Sequence, residues 1–162
     1  MNPIHVHLLF NHIPILGTLF GLLLLTYGFF THSLPLHKAG LVTLVLVAIF
    51  TIPANLSGEE AEHKVEHLPG VSEHFLEEHE ELAEKAVPLM MITGLVALVA
   101  LWGLHSGKMP QRWLSGVVLL LAIGSFAMMT LVGAHGGKIM HQEIRADFQS
   151  SPAMEHAEDH DD

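Results

Sequence analysis

The sequence predicts an all-α integral membrane protein, a four-helix bundle of up-down topology with both termini on the external side. The first observation is a set of four apolar runs, at residues 15–30, 39–54, 86–104 and 114–134, none of which contains a charged residue. Each run approaches the roughly 20 residues that span a bilayer core. Helices that are apolar on every side fit lipid better than the water-facing surface of a soluble bundle.

The second observation is how charge is distributed between the connections. The two short connections, 32–38 and 105–112, carry Lys38, Lys108 and Arg112 and no acidic residue. Basic connections of membrane proteins face the cytoplasm. The opposite side then holds all seventeen acidic residues and all but three of the fourteen histidines. We therefore expect a multi-pass protein of the bacterial inner membrane, with this acidic, histidine-rich side in the periplasm.

Composition limits the possible functions. The chain of 162 residues is expected to form one transmembrane domain, 1–145, followed by an acidic disordered tail, 146–162. It contains no cysteine, which excludes disulfides, thiolate metal sites, iron–sulfur clusters and covalent haem attachment. The net charge of −10 argues against nucleic-acid binding. No catalytic motif is present, so enzyme activity is left open and no reaction is assigned.

Local signals predict where the first helix begins and where helices bend. Asn2 and Pro3 form an N-cap and a first-turn proline, so the first helix should begin at Pro3. It should be retained, because the first segment lacks the basic leader and the small-residue cleavage site of a signal peptide. Pro14 should kink this helix near the external interface, and Pro53 and Pro88 should do the same in the second and third helices.

The connection between the second and third spans carries a further helix signal. Ser57 and Glu60 form a capping box that predicts a short external helix ending near His67. From Ser72 the pattern is helical and runs into the third span, so that helix should project above the membrane. The fourth helix is expected to continue through Ile144.

Histidines and glutamates at the external end are the candidate ligands. With a rise of about 1.5 Å per residue, His79 stands roughly 10 Å above the apolar end of its helix. His63 and His67, spaced i and i+4, share a helix face and could bind a metal in a lid. The candidate cofactor ligands are His12, His79, His135 and His141. The candidate metal ligands are His5, His7, His63, His67, Glu80 and Glu143.

Three motifs resemble a known family: Asn11-His12-x-Pro14, His79-Glu80 and Gly136-Gly137-x-Ile139-x-His141-x-Glu143. They resemble a family of small bacterial four-helix membrane proteins catalogued as a domain of unknown function, number twenty-two thirty-one, or a close relative of it. The similarity extends to about Ile144. It implies the topology and five residues to carry over, but no activity. Those residues are His12, His79, Glu80, His141 and Glu143.

Two classes of function follow. The first is an electron-transfer protein that binds either haem b that is not covalently attached or a metal. Such a protein would have a periplasmic redox partner. Haem in a bundle needs imidazoles on facing helices at matching depth and small residues that admit the macrocycle. His12 and His79 are expected to face each other, with His141 as an alternative ligand. The slot is expected at Gly133, Gly136 and Gly137.

The second class is a membrane protein that binds a divalent transition metal without redox activity, or an accessory subunit of a larger membrane complex. Histidine and glutamate together suit zinc or a non-haem metal. A transporter is not favoured, because no charged residue lies within an apolar run to mark an ion path. In both classes the lipid bilayer is an expected partner.

The predicted sidedness can be tested by cysteine labelling, since the chain has no cysteine of its own. A single cysteine at position 38 should resist a membrane-impermeant thiol reagent in intact cells, whereas one at position 72 should react. Both should react after the cells are permeabilised. The reverse pattern in intact cells would contradict the external position of the histidine-rich end.

Overall fold

The computed structural model of the chain describes residues 2–106 and 111–145, and of residue 111 only the backbone. All regular structure in these ranges is helical: α1 (Pro3–Phe10), α2 (His12–Phe30), α3 (Leu34–Val65), α4 (Glu73–Ser106), α5 (Gln111–Met140) and a 3₁₀ turn (Gln142–Ile144). Counting α1 and α2 as one segment, four helical segments are long and apolar enough to cross a membrane. The all-α membrane-helix prediction is therefore confirmed at this level. The predicted tail, 146–162, lies outside the described residues.

The helices pack as a closed bundle. α2 packs against α3 and α5, and α4 packs against the same two helices. α1 packs against the C-terminal half of α3, which contains Ala54. The arm formed by α1 and α2 therefore lies diagonally opposite α4. Side chains that meet between these two elements lie near the bundle axis.

Interior positions recur at alternating intervals of three and four residues, the 3.5-residue repeat of helices packed side by side. In α1 and α2 this interior row is His7, Asn11, Pro14, Thr18, Gly21, Leu25 and Gly28. In α4 it is Leu76, His79, Ala83, Ala86, Met90, Thr93, Ala97 and Ala100. Most members are fully buried, whereas the histidines, Asn11 and Ala83 are half-buried. At the same end of the bundle each row contains a histidine, His7 in α1 and His79 in α4.

Glycines bring α2 and α3 into backbone contact. A Cβ atom added at Gly40 would lie 2.5 Å from the Leu25 backbone nitrogen, and one at Gly21 would lie 2.8 Å from the Leu44 side chain. At Gly28 the obstacle is the backbone of His37. Small residues at these positions allow the two helices to approach closely.

The first helix begins as predicted. Asn2 caps α1, because its Oδ1 accepts a hydrogen bond of 3.1 Å from the Ile4 backbone N–H. The helix is interrupted at Asn11, three residues before Pro14. Proline has no N–H to donate to the carbonyl four residues earlier, which weakens the helix there. By contrast, Pro53 and Pro88 lie within uninterrupted helices.

The predicted separate helix from Ser57 to about His67 is wrong, because α3 continues without a break to Val65. Ser57 is buried, and its hydroxyl donates to the carbonyls of Pro53 at 2.6 Å and Ala54 at 3.2 Å. The side chain therefore bonds to its own helix and caps no new one. The connection to α4 is 66–72, where Gly70 adopts a φ of +89°.

The extension of the last helix is also shorter than predicted. α5 ends at Met140, and residues 142–144 form the 3₁₀ turn. The Arg145 guanidinium terminates the helix by donating to the carbonyls of Lys138 and Ile139, both at 2.9 Å. Its Nε and Nη2 thereby satisfy acceptors that a helix end leaves without partners.

Gly40 should be much less tolerant of substitution than Gly116, whose added Cβ would meet nothing within 4 Å. Gly40→Ala should destabilise the bundle by about 1–3 kcal/mol, because the two backbones must separate. Gly116→Ala should be neutral or slightly stabilising, since it removes conformational freedom from the unfolded chain. Thermal unfolding of both variants in detergent measures the difference. Equal midpoints would contradict the backbone contact.

Candidate functional site

Two histidines meet between the diagonal helical elements at one end of the bundle. His7 on α1 and His79 on α4 are both half-buried. Their ring centroids are 6.4 Å apart and their planes are perpendicular. His7 is the first member of the interior row of α1 and α2. His79 is the second member of the interior row of α4, after Leu76.

Each of these imidazoles is oriented by a backbone carbonyl of a neighbouring helix. The Nδ1–H of His7 donates to Ala54 O on α3 at 3.0 Å, and that of His79 donates to Val132 O on α5 at 2.9 Å. A carbonyl only accepts, so the hydrogen must be on Nδ1. In the neutral rings Nε2 then carries the lone pair, and neither Nε2 has a hydrogen-bond partner among the described residues. This tautomer is the one that binds a metal through Nε2.

A glycine makes room for each ring. Gly58 lies one helical turn after Ala54, and Gly136 one turn after Val132. An added Cβ at Gly58 would lie 3.1 Å from Nδ1 of His7, and one at Gly136 would lie 3.0 Å from Cε1 of His79. The two rings therefore sit over bare backbone in the same way.

Asn11 adds an oxygen to this end of the bundle. It lies one turn from His7 in the same interior row. Its Oδ1 is buried, and within residues 2–106 and 111–145 it has no hydrogen-bond partner. A buried amide oxygen without a partner costs free energy, which a bound water, proton donor or cation would recover.

Several predicted ligands lie elsewhere. The structure does not bring His12 and His79 together, because His12 is exposed on the outer face of α2. The predicted lid of His63 and His67 is not formed either: both are exposed, and His67 lies beyond the end of α3, 3.4 Å from Glu66. Other exposed candidates are His5 and Glu80, of which Glu80 faces Glu62 on α3.

His135 and His141 form separate polar contacts. His135 donates from Nδ1 to Leu131 O at 3.0 Å, and its Nε2 lies 3.5 Å from the Glu78 carboxylate. His141 is exposed and donates from Nδ1 to Glu143 at 2.7 Å. Hydrogen bonds from its own backbone N–H and from His141 hold the pKa of Glu143 below its usual value. The His141 ring is thus hydrogen-bonded to Glu143 at the surface.

The glycine slot predicted on the fourth helix is filled by side chains. Gly133 faces Ile15 Cδ1, 2.7 Å from an added Cβ, and Gly137 faces Ile144 Cδ1 at 3.4 Å. Gly136 receives the His79 ring. The expectation of an open slot formed by these three glycines is therefore wrong. The glycine at 136 admits an imidazole instead.

The spacing of residues in α1 and α2 did contain a signal for His7. Counting back from the buried Pro14 by three and then by four residues reaches Asn11 and then His7, and passes over His12. The motif Asn11-His12-x-Pro14 indicated His12, whereas the interior repeat indicates His7.

Within the ranges that the structure describes, no three His, Asp or Glu side chains lie close enough together to hold a bare metal ion. Comparisons with protein-family models, curated proteins and solved structures gave no match for this chain.

The tautomers of the pair are open to direct measurement. At a pH where imidazole is neutral, ¹⁵N NMR of histidine-labelled protein should show a protonated Nδ1 and an unprotonated Nε2 for His7 and His79. Assignment by single histidine replacement identifies each signal. Finding the hydrogen on Nε2 in either ring would contradict the carbonyl contacts.

Proposed function

We propose that this chain is a small membrane protein that binds haem b, or a transition metal ion, through Nε2 of His7 and His79 and takes part in electron transfer. The observation that carries the proposal is the matched orientation of the two rings. Both donate Nδ1–H to a backbone carbonyl, both rest over a glycine, and both lie on diagonally opposite elements. Such outer hydrogen bonds orient histidine ligands in metal sites.

The spacing of the rings supports this proposal. Two imidazoles bound at about 2.0 Å on opposite sides of one ion have ring centroids roughly 6 Å apart. The centroids of His7 and His79 are 6.4 Å apart. The observed separation is therefore close to that expected for two imidazoles that share one ion.

The number of protein ligands favours haem over a bare ion. A haem iron takes four ligands from its macrocycle and only two from the protein, whereas structural zinc takes four and catalytic zinc three. The described part of the chain offers two imidazoles at this position and no group of three ionisable ligands. Haem bound there would supply one-electron chemistry, while His7 and His79 would hold it and set its orientation.

A divalent metal without redox activity is the second candidate, either in this protein alone or in an accessory subunit of a larger complex. The observation in its favour is Asn11, whose buried Oδ1 has no partner in the described ranges. Two imidazole nitrogens and an amide oxygen form a donor set that suits zinc and similar ions.

The membrane setting of the proposal follows the charge pattern. We place the histidine pair and both termini on the periplasmic side of a bacterial inner membrane, supported by Lys38 and Arg112 at the opposite end of the bundle. Membership of the family numbered twenty-two thirty-one is part of the same proposal. Its support is the set of motifs at Asn11, His79 and Gly136.

Replacement of single histidines separates this site from the other candidates. His7→Ala and His79→Ala should each remove most of the bound cofactor, because each removes one of the two proposed histidine ligands. His12→Ala should retain it, since His12 faces outward. The readouts are the visible spectrum, oxidised and reduced, and elemental analysis per folded protein.

The two candidates differ in these readouts. Sharp α and β bands on reduction support haem, and stoichiometric metal in a colourless protein supports the divalent site. Full occupancy in both His7→Ala and His79→Ala, with loss in His12→Ala, would overturn the proposed pair. Detergent gel filtration of each variant controls for misfolding.

A further inference from the structure

A pocket lies at the end of the bundle opposite the histidine pair. Its volume is about 160 Å³, which is room for a phosphate group but not for a large molecule. It is formed by the last turns of α2 and α4 and the first turns of α3 and α5. The lining includes Phe29, His32, Ser33, Leu34, Leu104 and Arg112. None of these residues belongs to the site proposed for the cofactor.

Arg112 supplies a permanent positive charge to this pocket. Its Cζ lies 5.6 Å from the centroid of the Phe29 ring, so the ring supports one face of the guanidinium and leaves the N–H groups at its edge for a ligand. The Ser33 hydroxyl and the His32 imidazole line the same pocket. The side chain of Ser33 makes no capping hydrogen bond to α3. A guanidinium flanked by these donors suits the oxygens of a phosphate.

The sequence places no carboxylate near Arg112. The first acidic residue of the chain is Glu59, and none occurs between Glu84 and Glu143. In the ranges that the structure describes, this end of the bundle therefore carries basic residues and histidines without any acidic residue. An anion is the ligand that such an end favours.

All four helical segments place this pocket at the level of lipid headgroups. The apolar runs end at Phe30 and Leu104 and begin again at Ala39 and Leu114. No residue that lines the pocket is more than four positions from one of these ends, which is about 6 Å along a helix. The headgroup region on each side of a bilayer core is about 5–7 Å thick. The depth is therefore the same whichever helix is used to measure it.

Aromatic side chains mark the same level independently. The chain has one tyrosine and two tryptophans, Tyr27, Trp102 and Trp113, and each is more than three-fifths exposed. They lie on α2, α4 and α5, each within three residues of the end of an apolar run at the pocket end of the bundle. Tyrosine and tryptophan concentrate at the boundary between acyl chains and headgroups. A phosphate at the level of this pocket would thus be that of a lipid.

We propose that this pocket binds the phosphate of an anionic phospholipid, of which phosphatidylglycerol is the simplest probe. The Arg112 guanidinium donates to the phosphate, Ser33 and His32 donate to its other oxygens, and the acyl chains lie beside Trp113. Basic pockets between transmembrane helices on the cytoplasmic side bind anionic headgroups in this way. The proposal does not depend on the cofactor site, which lies at the other end of the bundle.

Native mass spectrometry of the full chain in detergent tests the proposal with three lipids of identical acyl chains. The probes are phosphatidylglycerol, phosphatidylethanolamine and phosphatidylcholine. Phosphatidylglycerol should bind most tightly, because the other two carry a positive group that finds no carboxylate at this end of the bundle. Inorganic phosphate at millimolar concentration should not displace it, because the lipid also gains contacts with the apolar surface around Trp113.

Three variants separate the pocket from the general charge of this end. Arg112→Gln should weaken binding of phosphatidylglycerol about fivefold, the contribution of one basic residue near a lipid phosphate. Lys38→Gln is the matched control: it removes the same charge from the same end, but Lys38 is exposed and does not line the pocket, so its loss should weaken binding much less. Arg112→Lys, which keeps the charge, should bind phosphatidylglycerol more tightly than Arg112→Gln.

Equal binding of the three lipids, or equal binding by Arg112→Lys and Arg112→Gln, would overturn the proposal. Equal losses in Arg112→Gln and Lys38→Gln would show only a general attraction to the basic end, and would also overturn it. Displacement of the lipid by inorganic phosphate would identify a phosphate from solution as the ligand instead. Unchanged thermal unfolding of each variant in detergent without lipid shows that a loss of binding is not a loss of fold.

Discussion

The positions of the His7 and His79 rings depend on a glycine in each of the two helices that they contact. An imidazole reaches the carbonyl of a neighbouring helix only if nothing projects from the next turn of that helix. At Gly58 and Gly136 even a methyl group would press on the ring. The hydrogen bond, the tautomer and the spacing of the two rings all follow from that bare backbone. An alanine at either position would displace the ring without removing any ligand.

The sequence predicted depth along the helices better than rotation about them. The four apolar runs, the start at Pro3 and the height of the histidines beyond the apolar runs depend on position along one axis, which the helical rise converts directly into height. His7 and His12 are both near the same end of the bundle, but five residues turn a helix by about 140° relative to its starting direction. His7 therefore faces the bundle and His12 faces outward. Packing between helices sets how each helix is rotated about its own axis, and a short sequence motif does not determine that rotation.

Ser57 shows a second limit of local sequence. A serine followed three residues later by glutamate is the same pattern at a helix start and within a long helix. The outcome depends on which backbone groups lack partners nearby. Here Pro53 lies one turn earlier in α3, and the Ser57 hydroxyl donates to its carbonyl. The buried threonines at 18, 51 and 93 donate one turn back in the same way. Polar residues are thus accommodated within the bundle without help from the lipid.

The matching contacts of His7 and His79 describe an approximate twofold axis along the bundle. One half pairs α1 with α3, the other pairs α4 with α5, and each half contributes a histidine, a carbonyl and a glycine. Any group on that axis would meet two equivalent rings. The two halves differ one helical turn farther into the bundle, where Asn11 in one half corresponds to Ala83 in the other. The two faces of a centrally bound group would therefore differ chemically, with an amide on one side and a methyl on the other.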